Sequence, residues 1–274
     1  MNWKTPLTLA AAIGLAACGD DETPTPPGIA NVRVAHLSPD APAVDFCIAP
    51  HGTAAFEGPV MEALGVSGGL AYQEVTAYLG LEEGRYDVRL VASDATTCAT
   101  GLLPDVTGLP TLTDGLYATI AAIGALDPGE GFAPFEVTAF VDESAVMGGK
   151  AKLRFVHASP NTPSVDVGLG SGEAFTAVFT DVAFGGIETG TGFTNGYVEV
   201  DPLVGVTISA RATGTTDDAL VLEGVDLPAG AIATAFATGL LPPGEPPLQA
   251  LVCVDNGEPV DLVYTPCVAL PQPE

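Results

Sequence analysis

Hydrophobic positions along this chain come in short runs, rich in Val, Thr, Ile, Phe and Tyr, and are punctuated by Gly, Pro and Asp. That is the rhythm of strands joined by turns. It predicts strands over Val32–Leu37, Val44–Ala49, Thr76–Leu79, Tyr86–Ala92, Tyr117–Ile123 and Glu136–Val141, with an extra one near Cys98–Leu103. AFEGPVMEALG (Ala55–Gly65) has room for a turn or two of helix before Gly and Pro interrupt it. The uncharged runs YATIAAIGAL (Tyr117–Leu126) and AIATAFATGLL (Ala231–Leu241) stop short of the ~20 residues a membrane-spanning helix needs. They read instead as central strands, buried on both faces. Six or seven short strands per hundred-odd residues point to an antiparallel β-sandwich of immunoglobulin-like type.

The pattern is written twice. RVAHLSPDAPAVDF (Arg33–Phe46) returns as RFVHASPNTPSVDV (Arg154–Val167) at an offset of 121. VRLVASDATT, YATIAAIGAL and VTAFVD are echoed in the same order by VTISARATGTT, IATAFATGLL and ALVCVD. Recurrence in order is what a duplicated domain predicts. The expected architecture is all-β, with two tandem immunoglobulin-like antiparallel β-sandwich domains at residues 29–145 and 150–260. MGGK (Met147–Lys150) joins them, and residues 261–274 form a C-terminal tail. Two copies are too few for a solenoid, and each is large enough to own a core.

The shared motif, R-x-x-H-x-S-P-x-x-P-x-V-D, resembles the opening of the bacterial family called domain of unknown function 4397. Its members often occur in tandem on secreted or lipid-anchored proteins. The resemblance implies a β-rich extracellular module and no defined activity. Asn161 stands where the first copy has Asp40, which argues against a role needing negative charge there.

The first residues, MNWKTPLTLAAAIGLAACGDD, carry one positive charge at Lys4, an apolar run from Leu7 to Ala17, and small residues before Cys18. This reads as a signal peptide over residues 1–17. The residues before Cys18 resemble the bacterial lipobox, which implies acylation of Cys18 and stable anchoring by several acyl chains. An ordinary signal peptide with an incidental cysteine is the alternative. Gly19 after the cysteine favours the outer membrane, on the periplasmic or the surface side. Residues 18–28, acidic and Pro-rich, read as a spacer.

The formal charge of −26 is scattered rather than blocked, so it reads as a solvated surface. Such a field repels phosphate backbones, so no nucleic-acid partner is expected.

Strand alternation places Val32, Val34 and His36 on one face, and likewise Leu153, Phe155 and His157. Each histidine then ends an apolar stripe as a core-rim residue. Ser38-Pro39 and Ser159-Pro160 begin turns, while Asp45 and Asp166 either pair with Arg33 and Arg154 or bind turn amides. A Ser-His-Asp triad is the catalytic alternative. Against it, proline follows each serine and lacks the N–H used in nucleophile-elbow oxyanion holes. All three residues also lie in one strand-turn-strand stretch, unlike most triads.

The histidines are His36, His51 and His157, with no HExxH or paired-cysteine spacing, so no metal centre and no cofactor are expected. The turns SDATT, DPGE, TTDD and DNGEPVD leave weak calcium binding open. Beyond Cys18, four cysteines allow three pairings. The most economical is Cys47 with Cys98 and Cys253 with Cys267, stabilising by about 4 and about 3 kcal/mol in the chain-entropy model. Free buried cysteines are the alternative.

The expected protein is therefore a lipid-anchored, non-catalytic envelope module for binding, adhesion or structure. Its partner, beyond the membrane, is an unidentified envelope or extracellular protein or glycan. Two alternatives remain: a secreted hydrolase, and a calcium- or carbohydrate-binding module with Tyr72, Tyr78 or Phe193 as an aromatic platform.

Overall fold

The computed structural model describes residues 26–271. The expected signal peptide, Cys18 and most of the spacer lie outside the described residues, as do the last three residues of the tail.

The first half contains β1 (Ile29–His36), β2 (Val44–Pro50), a single helical turn α1 (Val60–Ala63), β3 (Leu79–Glu82), β4 (Tyr86–Ala92), β5 (Tyr117–Ile123) and β6 (Glu136–Asp142). The second half continues with β7 (Ala151–His157), β8 (Val165–Leu169), β9 (Thr176–Val182), β10 (Phe193–Thr194) and β11 (Tyr197–Val200). It ends with β12 (Leu203–Ala212), β13 (Asp218–Leu227), β14 (Ile232–Thr238), β15 (Gln249–Val254) and β16 (Cys267–Pro271). The chain is all-β, built of sandwiched sheets.

The order β3-β1-β5-β6 in one sheet recurs as β11-β7-β14-β15 in another, which β10 and β16 extend at its two edges. Outside these inner sheets lie β2-β4 in the first half and β13-β12-β8-β9 in the second. The sandwich is not purely antiparallel: β1 runs parallel to β5, and β7 parallel to β14. Between each parallel pair the chain visits the outer sheet, which supplies the long crossover that parallel neighbours need.

The inner sheets face each other. Ala35, Leu37, Ala121, Ile123 and Phe140 pack with Val156, Ala158, Phe236, Leu251 and Cys253 in a core drawn from both halves. On their other faces, Val32 and Ile120 pack within the first half, and Phe155 and Ala237 within the second. This explains why β5 and β14 read as nearly continuous apolar runs: each is buried on both faces. Gly124 and Gly239 end these strands with φ of +83° and +80°, and a Cβ on either would collide with the carbonyl oxygen of Pro134 or Pro247.

Two expected strands shift. The strand placed at Thr76–Leu79 runs over Leu79–Glu82, because Thr76 uses its backbone and hydroxyl to hold Val34 instead. Cys98–Leu103 forms no strand; Leu102 donates to the Leu90 carbonyl, and the segment is tied down by a disulfide. The Cys253–Cys267 bridge pins the tail to the second half's last inner strand, as that pairing implies, and the segment before it also reaches the first half. Val263 accepts from Ala77 N–H at 2.5 Å and Thr265 N–H donates to Val75 at 2.9 Å, so the second half's chain lies along the first half before returning as β16. Among the described residues no helix is long and apolar enough to cross a membrane.

Candidate functional site

The two motif copies hold their histidines alike. His36 Nε2 lies 3.0 Å from the Pro42 carbonyl, and His157 Nε2 lies 3.0 Å from the Pro163 carbonyl. Facing a carbonyl, Nε2 carries the proton and donates, which fixes the neutral tautomer. Burial depresses both histidine pKa values, and the carbonyl bond only partly offsets it. Nδ1 of each is buried with no hydrogen-bond partner among the described residues.

The serines turn elsewhere. Ser38 Oγ donates to Asp40 at 3.4 Å, whereas Ser159 Oγ donates to the Gly239 carbonyl at 2.7 Å and also meets the Thr162 hydroxyl. Asp40 accepts N–H bonds from Leu126 and Asp127 at 2.7 and 2.9 Å. Those bonds outweigh its partial burial and hold its pKa below the ordinary carboxylate value. Asn161 does the same work without a charge, accepting from Leu241 N–H at 2.9 Å through its amide oxygen. What the position requires is an acceptor oxygen. Pro160 adds a link between halves, its carbonyl accepting from Ala133 N–H at 2.8 Å.

Asp45 is fully buried and accepts three backbone N–H bonds, from Phe46, Met61 and Glu62, at 2.7–2.9 Å. It therefore fixes the start of α1 against β2. Asp166 accepts from Asp181 N–H at 2.8 Å and from the Thr213 hydroxyl at 3.1 Å. Neither aspartate bonds the motif arginine: of the two expected alternatives, binding of backbone amides holds and pairing with Arg33 or Arg154 does not. The reason is the strand pleat: the arginines point from β1 and β7 toward the opposite half. No hydrogen bond joins His36 to Ser38 or Asp45, nor His157 to Ser159 or Asp166.

The arginines instead build a reciprocal latch. Arg33 Nη2 donates to Asp255 in the second half at 2.6 Å, and Arg154 Nη2 donates to Asp142 in the first at 2.5 Å. Arg33 Nε holds Thr119 at 2.8 Å while Arg154 Nε holds Thr234 at 3.2 Å. The hydroxyls of Tyr78 and Thr119 donate to Asp142, and those of Tyr197 and Thr234 to Asp255. Each guanidinium also lies over the tyrosine of its own half, Arg33 at 4.9 Å from Tyr78 and Arg154 at 4.4 Å from Tyr197. Both arginines are 0% exposed.

Two positive and two negative charges leave this buried cluster neutral. Burial alone would lower the arginine pKa values, but the carboxylates beside them raise both. Asp142 moves down for the same reason: burial opposes its charge, and Arg154 and Arg33 prevail. The two arginines differ in detail: Nη1 of Arg154 donates to the Val141 carbonyl at 3.0 Å while that of Arg33 has no partner among the described residues, Arg154 Nη2 also reaches the Thr234 hydroxyl at 3.0 Å, and Arg33 Nε lies 3.7 Å from Asp142 of its own half.

Cys47 is bonded to Cys98 and Cys253 to Cys267, the economical pairing. The proposed aromatic platform is not one surface: Tyr78 belongs to the latch, Phe193 packs on Phe179, and Tyr72 meets His36 edge to face. No three His, Cys, Asp or Glu side chains gather as a metal site among the described residues.

The family described as Domain of unknown function (DUF4397) matches residues 61–168. Within these residues the chain is similar to that family. The DUF4397 match starts in α1 and ends in β8, so it spans the junction of the halves and contains the second motif but not the first. No curated protein matches the chain. Among solved structures, the Bacillus anthracis TIE protein is similar at 11% identity and a TM-score of 0.19; the match covers 89% of this chain but only 44% of that one. A candidate cell adhesion protein from Bacteroides eggerthii is similar at 11% identity and a TM-score of 0.16, over 90% of this chain and 97% of that one.

Proposed function

We propose that this chain is a lipid-anchored cell-envelope protein whose two halves, residues 29–145 and 150–260, work as one rigid, non-catalytic module for binding, adhesion or structure. The observation that carries the reading is where the motif side chains go. In both copies the histidine serves a turn carbonyl, the aspartate binds backbone amides and the arginine latches the opposite half. A motif in which each of these polar side chains makes its bond inside the fold reads as a folding determinant. The leader ending at Cys18 supports export and anchoring, and the acidic surface suits a solvated extracellular face.

The test is membrane fractionation of the full-length chain expressed in a bacterium, beside a Cys18→Ser variant, with both assayed on ester and peptide libraries. The wild-type chain is expected in the membrane fraction, the variant in the soluble fraction, and neither turns over substrate. Turnover that disappears in Ser38→Ala would overturn the non-catalytic reading.

A further inference from the structure

The halves differ in how they close the space between inner and outer sheets. In the second half that space is a narrower apolar pocket of about 80 Å³, lined among others by Leu220 and Leu222 of β13 and Leu270 of β16. In the first half it is an open groove of about 380 Å³ with Leu90, Leu103 and Val137 on its walls. The two spaces correspond. Leu90 stands opposite Phe46 as Ala210 stands opposite Val167, and Val137 opposite Ala122 as Ala250 stands opposite Ala237. Ala210 and Ala250 both line the narrower pocket.

What the first half lacks is a counterpart of β16. β15 is paired on both sides, with β14 and with β16, which runs antiparallel from Gln249↔Pro271 to Cys253↔Cys267. The corresponding residues of β6, Glu136–Phe140, pair with β5 alone and form the edge of their sheet. An edge strand beside an apolar groove is the arrangement used for strand addition, in which main-chain bonds give affinity and pockets for alternate side chains give specificity.

The rim says what kind of segment fits. Pro104, Pro128 and Pro134 border the groove and supply no N–H, so they offer only acceptors, and Glu136 adds a carboxylate. Exposed Asp127 and Glu130 lie on the same loop, in a chain of net charge −26. We propose that β6 accepts an antiparallel strand from a basic polypeptide partner, with an apolar side chain entering the groove at the place Leu270 holds in the second half. β16 on β15 is the template. This rests on the binding reading above and names the partner class.

The probe is a short peptide alternating lysine and valine, titrated against the mature chain while amide hydrogen exchange is followed. Saturable binding with new protection confined to β6 amides is expected, and Glu136→Lys, an exposed substitution, should weaken it at least about tenfold. A control peptide with proline at its centre should bind far less, because it cannot complete the ladder. Absence of binding, equal binding of the proline peptide, protection elsewhere, or an unaffected Glu136→Lys variant would each overturn the proposal. A chain that fractionates with membranes yet ignores the peptide would lose this proposal and keep the envelope reading.

Discussion

Tyr78, Thr119 and Asp142 of the first half have counterparts in Tyr197, Thr234 and Asp255 of the second, with both hydroxyls donating to the aspartate in each. On the outer sides the match is partial: β2-β4 corresponds to β8-β12, which β9 and β13 extend in the second half only. The difference has a physical cause. Inner-face residues answer to the opposite half, so changing Asp255 alone takes from Arg33 its hydrogen-bonded carboxylate and leaves it only Asp142 at 3.7 Å, and changing Asp142 alone takes from Arg154 its own. Outer-sheet residues answer mainly to their own sandwich, Val263 and Tyr264 on the first half's outer cluster excepted, and tolerate rebuilding.

The most severe way to break the inner symmetry is to remove one latch partner. Arg33→Ala or Arg154→Ala should each cost about 3–5 kcal/mol in urea denaturation, because the abandoned carboxylate stays buried. Arg154→Ala should be the worse, since it also frees the Val141 carbonyl. Replacing both partners of a pair, Arg33→Met with Asp255→Leu, should cost less than either single change.

A second comparison sets Asp45 against Asp166. Asp45→Ala orphans three backbone N–H groups, two of them in buried contacts, and should cost about 2–4 kcal/mol. Asp166→Ala loses exposed bonds and should cost about 1 kcal/mol or less. Equal losses in thermal or urea melts would contradict the different duties assigned to them.

Lowering pH should act on both halves together. His36 and His157 have depressed pKa values in the fold, so the unfolded chain binds more protons below the ordinary histidine value of ~6.5. Their stabilising contribution is complete above that pH and is lost as pH falls through it. Denaturation midpoints should therefore drop between about pH 7 and 5. A His36→Gln, His157→Gln variant should show a shallower slope. The smallest effect is expected from exchanging Asp40→Asn and Asn161→Asp, within about 0.5 kcal/mol in the same melts, since both positions need only an acceptor oxygen.

Much of this was legible in the sequence. Period-two alternation and turn residues located β2, β4 and β5 to within a residue, and the uncharged runs announced strands buried on both faces. The histidine's turn carbonyl and the amide-binding aspartate followed from the same local chemistry. The latch did not, because Arg33 and Asp255 lie 222 residues apart and local pattern says nothing about which half an inward arginine faces. One signal was available: VTAFVD and ALVCVD each end in the aspartate that receives the other half's arginine. The parallel pairs were missed for a related reason, since alternation fixes faces but not the direction of a neighbour.

The central claim is that the motif arginines join the halves. A double-mutant cycle on Arg33 and Asp255, read by urea denaturation of the full chain, tests it most directly. The latch predicts a coupling energy of at least about 2 kcal/mol between these two residues of opposite halves. Losses that add to within about 0.5 kcal/mol would contradict it.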